Sequence, residues 1–256
     1  DYSILDQHSE SYRKIRNTFR YLLGNIKDNH KIIDLKKLVI SDLPEVEQYM
    51  LHKIYLLDKN FKEYFDNYDF HNLYKDLLNF CTVDLSAFYF DIRKDCLYCD
   101  PNDSKKRNSV IILLNIILDA LLKWFAPILS FTTEEINNLI GNKKSIHLEN
   151  FNEFPSTFEN DKLNMKWSEL IKIRDICNLS IENQRAKKII GSSLEANLSI
   201  KLNKKYIEII KNIDLAELCI TSSCTIEETD QNEILVIAEK AKGTKCPVCW
   251  KISEKP

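Results

Sequence analysis

Four polar side chains early in the chain, Arg13, Arg16, Asn17 and Arg20, have the types and spacing to bind nucleic acid. At about 100° per residue they fall side by side on one part of a helix surface. Guanidinium groups suit forked contacts with phosphates or base edges, and an amide can also pair with a base edge. The same pattern fits a basic surface that is only solvated. The cluster therefore predicts a nucleic-acid-binding face, with a solubilising face as the alternative.

An apolar stripe in the same segment must hold this face in position. Apolar residues recur there at the spacing typical of one side of a helix packed against a core. They are Tyr12, Ile15, Phe19, Leu22, Leu23 and Ile26. We therefore expect a bundle helix that buries one side and exposes the basic one.

A second pair of cations that could reach nucleic acid is Arg93 and Lys94. They are predicted to point outward from a helix over residues 84–98. The neighbouring carboxylates of Asp91 and Asp95 could pair with them instead, which leaves a structural explanation beside the binding one.

A third basic cluster, which includes Arg185 and Lys188, ends a long helix predicted over residues 163–190. Cations suit the negative end of the helix dipole. Arg185 and Lys188 are therefore candidates for contacts with nucleic acid, and a purely structural role explains them about as well.

Cys246 and Cys249 flank a Pro-Val turn with the spacing of half a zinc site. Closed tetrahedral zinc needs four ligands, and no second cysteine pair follows up to residue 256. The other CxxC pair, Cys96 and Cys99, is rejected as the completing half because Cys96 is expected on a bundle helix in another domain. The sequence thus predicts a half-site that holds no metal.

No arrangement of residues predicts catalysis by this chain. Neither a nucleophile with its base nor a pair of acids occurs at a spacing that suggests a site. The 4 glycines stand apart, so the sequence contains no GxGxxG or GxxxxGK phosphate loop. A self-contained enzyme is the weakest of the possible functions.

Composition predicts a reduced globular protein whose basic character is local. Hydrophobic residues make up 44% and charged residues 29% of the 256 residues, and the net charge of -2 disfavours general polyanion binding. The 8 cysteines occur without a signal peptide, which favours the cytoplasm. Residues 110–129 have the length of a membrane span, but Asn115, Asp119 and Lys123 draw a polar stripe along them. This pattern indicates an amphipathic core helix.

The order of helix-like and strand-like patterns along the chain predicts a mainly α fold. It consists of an antiparallel helical bundle followed by a small α+β domain. The bundle is expected over residues 1–155, the α+β domain over 156–240, and the start of a zinc knuckle over 241–256. Strands are expected at 194–202, 215–222 and 234–239. Predicted helix starts are Asp42, Asp69, either Asp103 or Ser104, and Thr132 in a capping box with Glu135.

Five stretches resemble, in order, the C-terminal part of bacterial isoleucyl-tRNA synthetases. Their sequences are YRKIRNTFRYLLGN, SAFYFDIRKDCLYCD, WFAPILSFTTEEI, RAKKIIGSSLEA and KCPVCW. The catalytic signatures of that family, HIGH and KMSKS, do not occur in the sequence. The resemblance therefore implies a piece of a longer synthetase that lacks the catalytic domain.

The resemblance also implies what the chain binds. It implies a class I anticodon-binding domain that recognises the anticodon region of tRNA(Ile) as a monomer, without a membrane. Zinc would be bound in the longer protein but not here, and ATP and magnesium only by its catalytic domain. The helical part fits valyl-type synthetases nearly as well, and a helical protein-interaction module with an incidental basic face is the remaining alternative.

Overall fold

The computed structural model describes residues 2–26 and 29–254. It divides into two compact units, one reaching Asn160 and the other beginning at Asp161. The division falls five residues after the predicted end of the bundle, at the end of a polar stretch over residues 150–160 that precedes the last long helix. Residues 241–254 belong to the second unit.

The first unit is built from helices, as predicted. In chain order they are α1 (Tyr2–Ile26), α2 (Glu45–Asp66), α3 (Phe70–Asn79), a π-helical segment (Phe80–Tyr89), α4 (Phe90–Cys99), α5 (Lys105–Phe125) and α6 (Ser130–Leu139). Short 3-10 turns lie at Ile40–Asp42, Ile146–Leu148 and Ser156–Phe158. No strand occurs in this unit among the residues that the structure describes.

The core of this unit forms around α5, which packs against α1, α2, α4 and α6. Its length and composition would allow it to cross a membrane, yet 78% of its apolar window is buried inside the fold. Its polar stripe is also used internally. Asn115 accepts a hydrogen bond from the Lys31 N–H (2.8 Å), and Lys123 pairs with Asp119 (2.9 Å). The helix is therefore a core helix, as its polar stripe predicts.

Two predicted helix starts are confirmed by side-chain caps. Asp69 accepts a hydrogen bond from the backbone N–H of Asn72 at 3.2 Å and begins α3. Ser104 accepts one from the N–H of Arg107 at 3.3 Å and begins α5. Each cap satisfies a donor that has no partner inside its helix.

The other two predicted starts are wrong. Asp42 lies in the Ile40–Asp42 turn, and α2 begins after Pro44 without a side-chain cap. α6 begins at Ser130, so Thr132 and Glu135 lie inside it. Thr132 is buried and shares a hydrogen bond of 2.9 Å with the Tyr12 hydroxyl. The Thr132 hydroxyl, which the capping pattern assigns to the start of the helix, thus forms a tertiary hydrogen bond instead.

The second unit combines helices with a three-stranded sheet, as predicted for a small α+β domain. Its elements are α7 (Asp161–Ala186), β1 (Ala196–Leu202), α8 (Lys204–Ile210), α9 (Leu215–Cys219), β2 (Ser223–Glu228), β3 (Leu235–Lys240), β4 (Thr244–Lys245) and β5 (Ile252–Ser253). The sheet order is β2-β1-β3, with β1 parallel to β2 and antiparallel to β3. A separate hairpin pairs β4 with β5.

The strand predicted over residues 215–222 is wrong. Asp214 caps the N–H groups of Ala216 and Glu217, at 2.9 and 3.1 Å, and thereby starts α9. Ile220 ends that helix with a φ of 56°. The apolar run is too short for periodicity to separate a helix from a strand, and the aspartate cap decides the outcome.

Candidate nucleic-acid interface

The basic face of α1, defined as Arg13, Arg16, Asn17 and Arg20, is exposed along its whole length. The other side of the helix is buried, including Ile15, Phe19, Leu22 and Ile26. The two sides therefore separate as the sequence periodicity predicts. The buried side fixes the helix in the bundle, so that the basic face is held on a rigid element.

Two members of the basic face take part in exposed ion pairs. Arg13 pairs with Glu10, through Nε at 2.9 Å, and Arg16 lies 3.4 Å from Glu135. Arg16 also donates to the Tyr12 hydroxyl at 3.2 Å. Because both pairs are exposed to solvent, they contribute little to folding, and a phosphate could replace either carboxylate.

The other two members have no side-chain partner among the described residues. Within residues 2–26 and 29–254, neither Asn17 nor Arg20 makes a hydrogen bond or an ion pair through its side chain. A guanidinium and an amide with unused donors therefore stand on an exposed helix surface. That combination can contact both a phosphate and a base edge.

The prediction that Arg93 points outward is wrong. Arg93 is only 4% exposed, and its Nε and Nη2 each donate to Glu47 at 2.8 Å. The hydroxyl of Tyr89 donates to the same carboxylate at 3.0 Å. A π helix has more residues per turn than an α helix, so a helical wheel carried through the π-helical segment misplaces the residues that follow.

Lys94, the next residue, is exposed as predicted and pairs with Asp91 at 2.5 Å. It lines a groove that also contains Asn17 and Lys14 of α1. The structure therefore brings one predicted residue of α4 beside one of α1. Ser86 lines the same groove and was not singled out from the sequence, because a lone serine in a helix carries no local signal.

In the second unit, Arg185 lies in the last turn of α7 and pairs with Glu182 at 2.6 Å. Lys188 follows the helix with a φ of 58°. Both line a depression of about 510 Å³ that also contains Lys240 and Glu195. The lining of this depression thus contains both positive and negative groups.

Cys246 and Cys249 lie in the tight turn between β4 and β5. The turn is held by hydrogen bonds from the Cys246 N–H to the Lys251 carbonyl (2.8 Å) and from the Trp250 N–H to the Cys246 carbonyl (3.0 Å). Backbone N–H groups, first that of Cys249, lower the pKa of the Cys246 thiol. The turn thus favours the thiolate, which is the form that binds metal. No cluster of three or more potential metal ligands occurs in the described part of the chain.

Cys96 differs from Cys246 in its environment. It is buried in α4, and this burial raises the pKa of its thiol to about 12. A thiol that resists deprotonation is a poor metal ligand. The first cysteines of the two CxxC pairs, Cys96 and Cys246, therefore have pKa values shifted in opposite directions.

Comparison with known proteins gives two kinds of match. The family model for the anticodon-binding domain of tRNA ligase matches residues 47–202. The chain is 64% identical over 255 residues to the isoleucine–tRNA ligase of Pelagibacter ubique, covering 99% of this chain and 28% of that protein. The isoleucine–tRNA ligases of Agrobacterium fabrum and Rhodopseudomonas palustris are each 36% identical, over 263 and 265 residues. They cover 98% and 97% of this chain, which spans only 27% and 26% of their length.

Proposed function

Because this chain belongs to the family of anticodon-binding domains of tRNA ligases, we propose that it is the tRNA-binding part of an isoleucine–tRNA ligase. It would contact the anticodon region of tRNA(Ile). The isoleucine name of the relatives supports this choice over a valyl-type enzyme. The whole protein would attach isoleucine to its tRNA with ATP and magnesium, and the reaction would take place in a part of the enzyme other than this chain.

The exposed basic face of α1 is the observation that carries the proposal. It presents three guanidinium groups and an amide on a helix whose opposite side is buried. A net charge of -2 makes this local cluster, rather than total charge, the means of attracting RNA. Lys94 extends the interface on α4, and Arg185 and Lys188 are proposed as contacts from the second unit. A cytoplasmic monomer is the state in which we expect the protein to act.

The thiol pair of Cys246 and Cys249 is proposed as half of a zinc site in the longer enzyme. The turn that holds the two cysteines and the lowered pKa of Cys246 fit thiolate ligation. Two further ligands would have to complete a tetrahedral shell. Bound zinc would hold the turn in a fixed conformation, which is a structural rather than a catalytic role.

Salt dependence of tRNA binding tests the basic face. Arg13, Arg16 and Arg20 are each replaced singly with alanine. Each change is expected to flatten the slope of the logarithm of the association constant against the logarithm of the salt concentration by roughly 0.7–0.9. This is the counterion release expected for one phosphate contact. Asn17→Ala should leave the slope unchanged, because a neutral amide displaces no counterion. If Asn17 contacts a base, the loss is expected to be about 1–3 kcal/mol for tRNA(Ile) and smaller for an anticodon-altered tRNA. Titration of folded tRNA at several salt concentrations measures both quantities.

The control in this experiment is Lys59→Ala, which removes an exposed cation of α2 that lies outside the proposed interface. It should change neither slope nor anticodon preference. If all four variants of the basic face bind tRNA as the unaltered chain does, then the face is only solvated and the proposal fails.

Zinc content tests the half-site. The purified chain is expected to hold far less than one zinc per molecule, because two thiolates leave half of the coordination shell to water. Elemental analysis measures the metal, and the longer enzyme should contain it. Full occupancy that disappears in a Cys96→Ser/Cys99→Ser variant would instead show that the two cysteine pairs form one site.

A further inference from the structure

A groove beside the basic face has the size of a small-molecule site. Its volume is about 560 Å³, and such sites span roughly 300–1,000 Å³. One wall belongs to α1, with Lys14, Asn17 and Tyr21, and the other to the π-helical segment and α4. A role for this groove in RNA binding rests on the proposed function, since the groove adjoins the surface that would contact tRNA.

Each wall carries an exposed polar side chain whose hydrogen-bonding groups are unused. Asn17 on α1 and Ser86 on the π-helical segment have no hydrogen-bond partner in the part of the chain that the structure describes. Thr82, which also lines the groove, differs because its hydroxyl donates to the Leu78 carbonyl at 2.8 Å. An amide and a hydroxyl together offer donors and acceptors, as the edge of a nucleobase requires.

Aromatic surface lines the same groove. The rings of Tyr21 and Phe90 stack with centroids 4.2 Å apart and planes 18° apart. The Tyr21 hydroxyl donates to the Phe90 carbonyl at 3.4 Å, which joins the two walls. Phe90 is only 4% exposed, so the half-buried Tyr21 offers the accessible aromatic surface. Unpaired bases of RNA loops bury their apolar faces on accessible aromatic surface.

The side chains that line the groove carry two positive charges. Lys14 and Lys94 stand on opposite walls, and no carboxylate is among the described residues that line it. Lys94 also pairs with the nearby carboxylate of Asp91, in a solvent-accessible ion pair that a phosphate could replace. Cations on both walls suit the two phosphates that flank a base held between them.

The wall opposite α1 owes its shape to the π-helical segment. The N–H of Phe90 donates to the carbonyl of Leu85, five residues earlier, rather than to that of residue 86. Such wide turns are rare in helices as a whole, and those that occur are often found at functional sites. Here the wide turn, from Leu85 to Phe90, contains Ser86 and precedes Lys94, two residues that line the groove.

We propose that this groove receives one unstacked base from a single-stranded loop of the tRNA. Asn17 and Ser86 contact the edge of the base, and Lys14 and Lys94 contact the phosphates on either side of it. The π-helical segment thus becomes part of the RNA interface, which the sequence pattern of α1 alone does not indicate.

Anticodon stem-loops of tRNA(Ile), each with one abasic loop position, test this proposal. The unaltered chain should lose affinity by about 5- to 150-fold at one position, as expected for one stacked base. Ser86→Phe fills the groove, so this variant should bind the intact stem-loop with an affinity reduced by the same factor. Removing the base at that position should then cause no further loss of affinity. Val83→Phe is the matched control, because Val83 is 52% exposed on the same segment and does not line the groove.

A second variant, Asn17→Leu on the other wall, should also abolish the dependence on that position. If Ser86→Phe fails to fold, the Asn17→Leu variant alone tests whether the groove holds the base. Should the unaltered chain not bind the stem-loop at all, the proposed function itself fails. If it binds and both groove variants keep the dependence on the same abasic position, then the base lies elsewhere and only the groove is excluded.

Discussion

Replacing Glu47 with alanine is expected to lower the free energy of unfolding by about 3–5 kcal/mol. Glu47 is fully buried and accepts hydrogen bonds from Arg93 and Tyr89. Its removal takes from the buried Arg93 guanidinium the carboxylate to which both its Nε and Nη2 donate, at a high cost in desolvation. Urea unfolding of the purified variant measures the loss, which would be a large part of the roughly 5–15 kcal/mol typical of a domain.

Glu63→Ala is the matched control for this change. Glu63 lies on the same helix, α2, but is exposed, so its loss should alter stability by no more than about 0.5 kcal/mol. The double variant Glu47→Leu/Arg93→Met should recover part of the stability, because apolar residues of similar volume can replace a buried ion pair. Recovery should be incomplete, because the buried Tyr89 hydroxyl loses its acceptor. Equal costs for Glu47→Ala and Glu63→Ala would mean that the buried pair does not form.

The double variant also tests whether Arg93 contacts RNA. If Arg93 acts only within the core, then tRNA binding and its salt slope should match those of the unaltered chain. A slope flattened by roughly 0.7–0.9 would instead mean that the arginine reaches a phosphate. Stability and RNA binding are thus separable at this residue.

Local signals explain which parts of the fold could be predicted. The two sides of α1 follow from apolar spacing within one helix, and the caps at Asp69 and Ser104 follow from a side chain three residues before its donor. Alternation over seven residues likewise predicts β1, whose side chains are alternately buried. In each case the deciding interaction lies within a few residues of the chain.

Distant partners explain the features that could not be predicted. Arg93 is held by Glu47, 46 residues earlier, and Thr132 contacts Tyr12 at a separation of 120 residues. No local pattern reports such a partner. The groove could not be predicted for the same reason. Ser86 lines a groove only because α1 lies opposite it, and the π-helical segment shapes the wall on which it lies.

Phe19→Ala and Arg20→Ala should give opposite results at adjacent positions of α1. Phe19 is 1% exposed and its ring lies 6.0 Å from that of Phe125, edge to face. Its truncation is expected to cost roughly 3–5 kcal/mol of folding stability. Arg20 is exposed, and Arg20→Ala should change stability by no more than about 0.5 kcal/mol. Urea unfolding compares the two variants on one scale.

The effects of the same two variants on tRNA binding should be the reverse of their effects on stability. Arg20→Ala is expected to weaken binding and to flatten the salt slope by roughly 0.7–0.9. Phe19→Ala should bind in proportion to its folded fraction, with an unchanged slope, because Phe19 offers no charge to a phosphate. If Phe19→Ala unfolds the bundle as expected while Arg20→Ala leaves affinity and slope intact, then α1 positions no RNA contact at Arg20, and its exposed side contributes only solubility there.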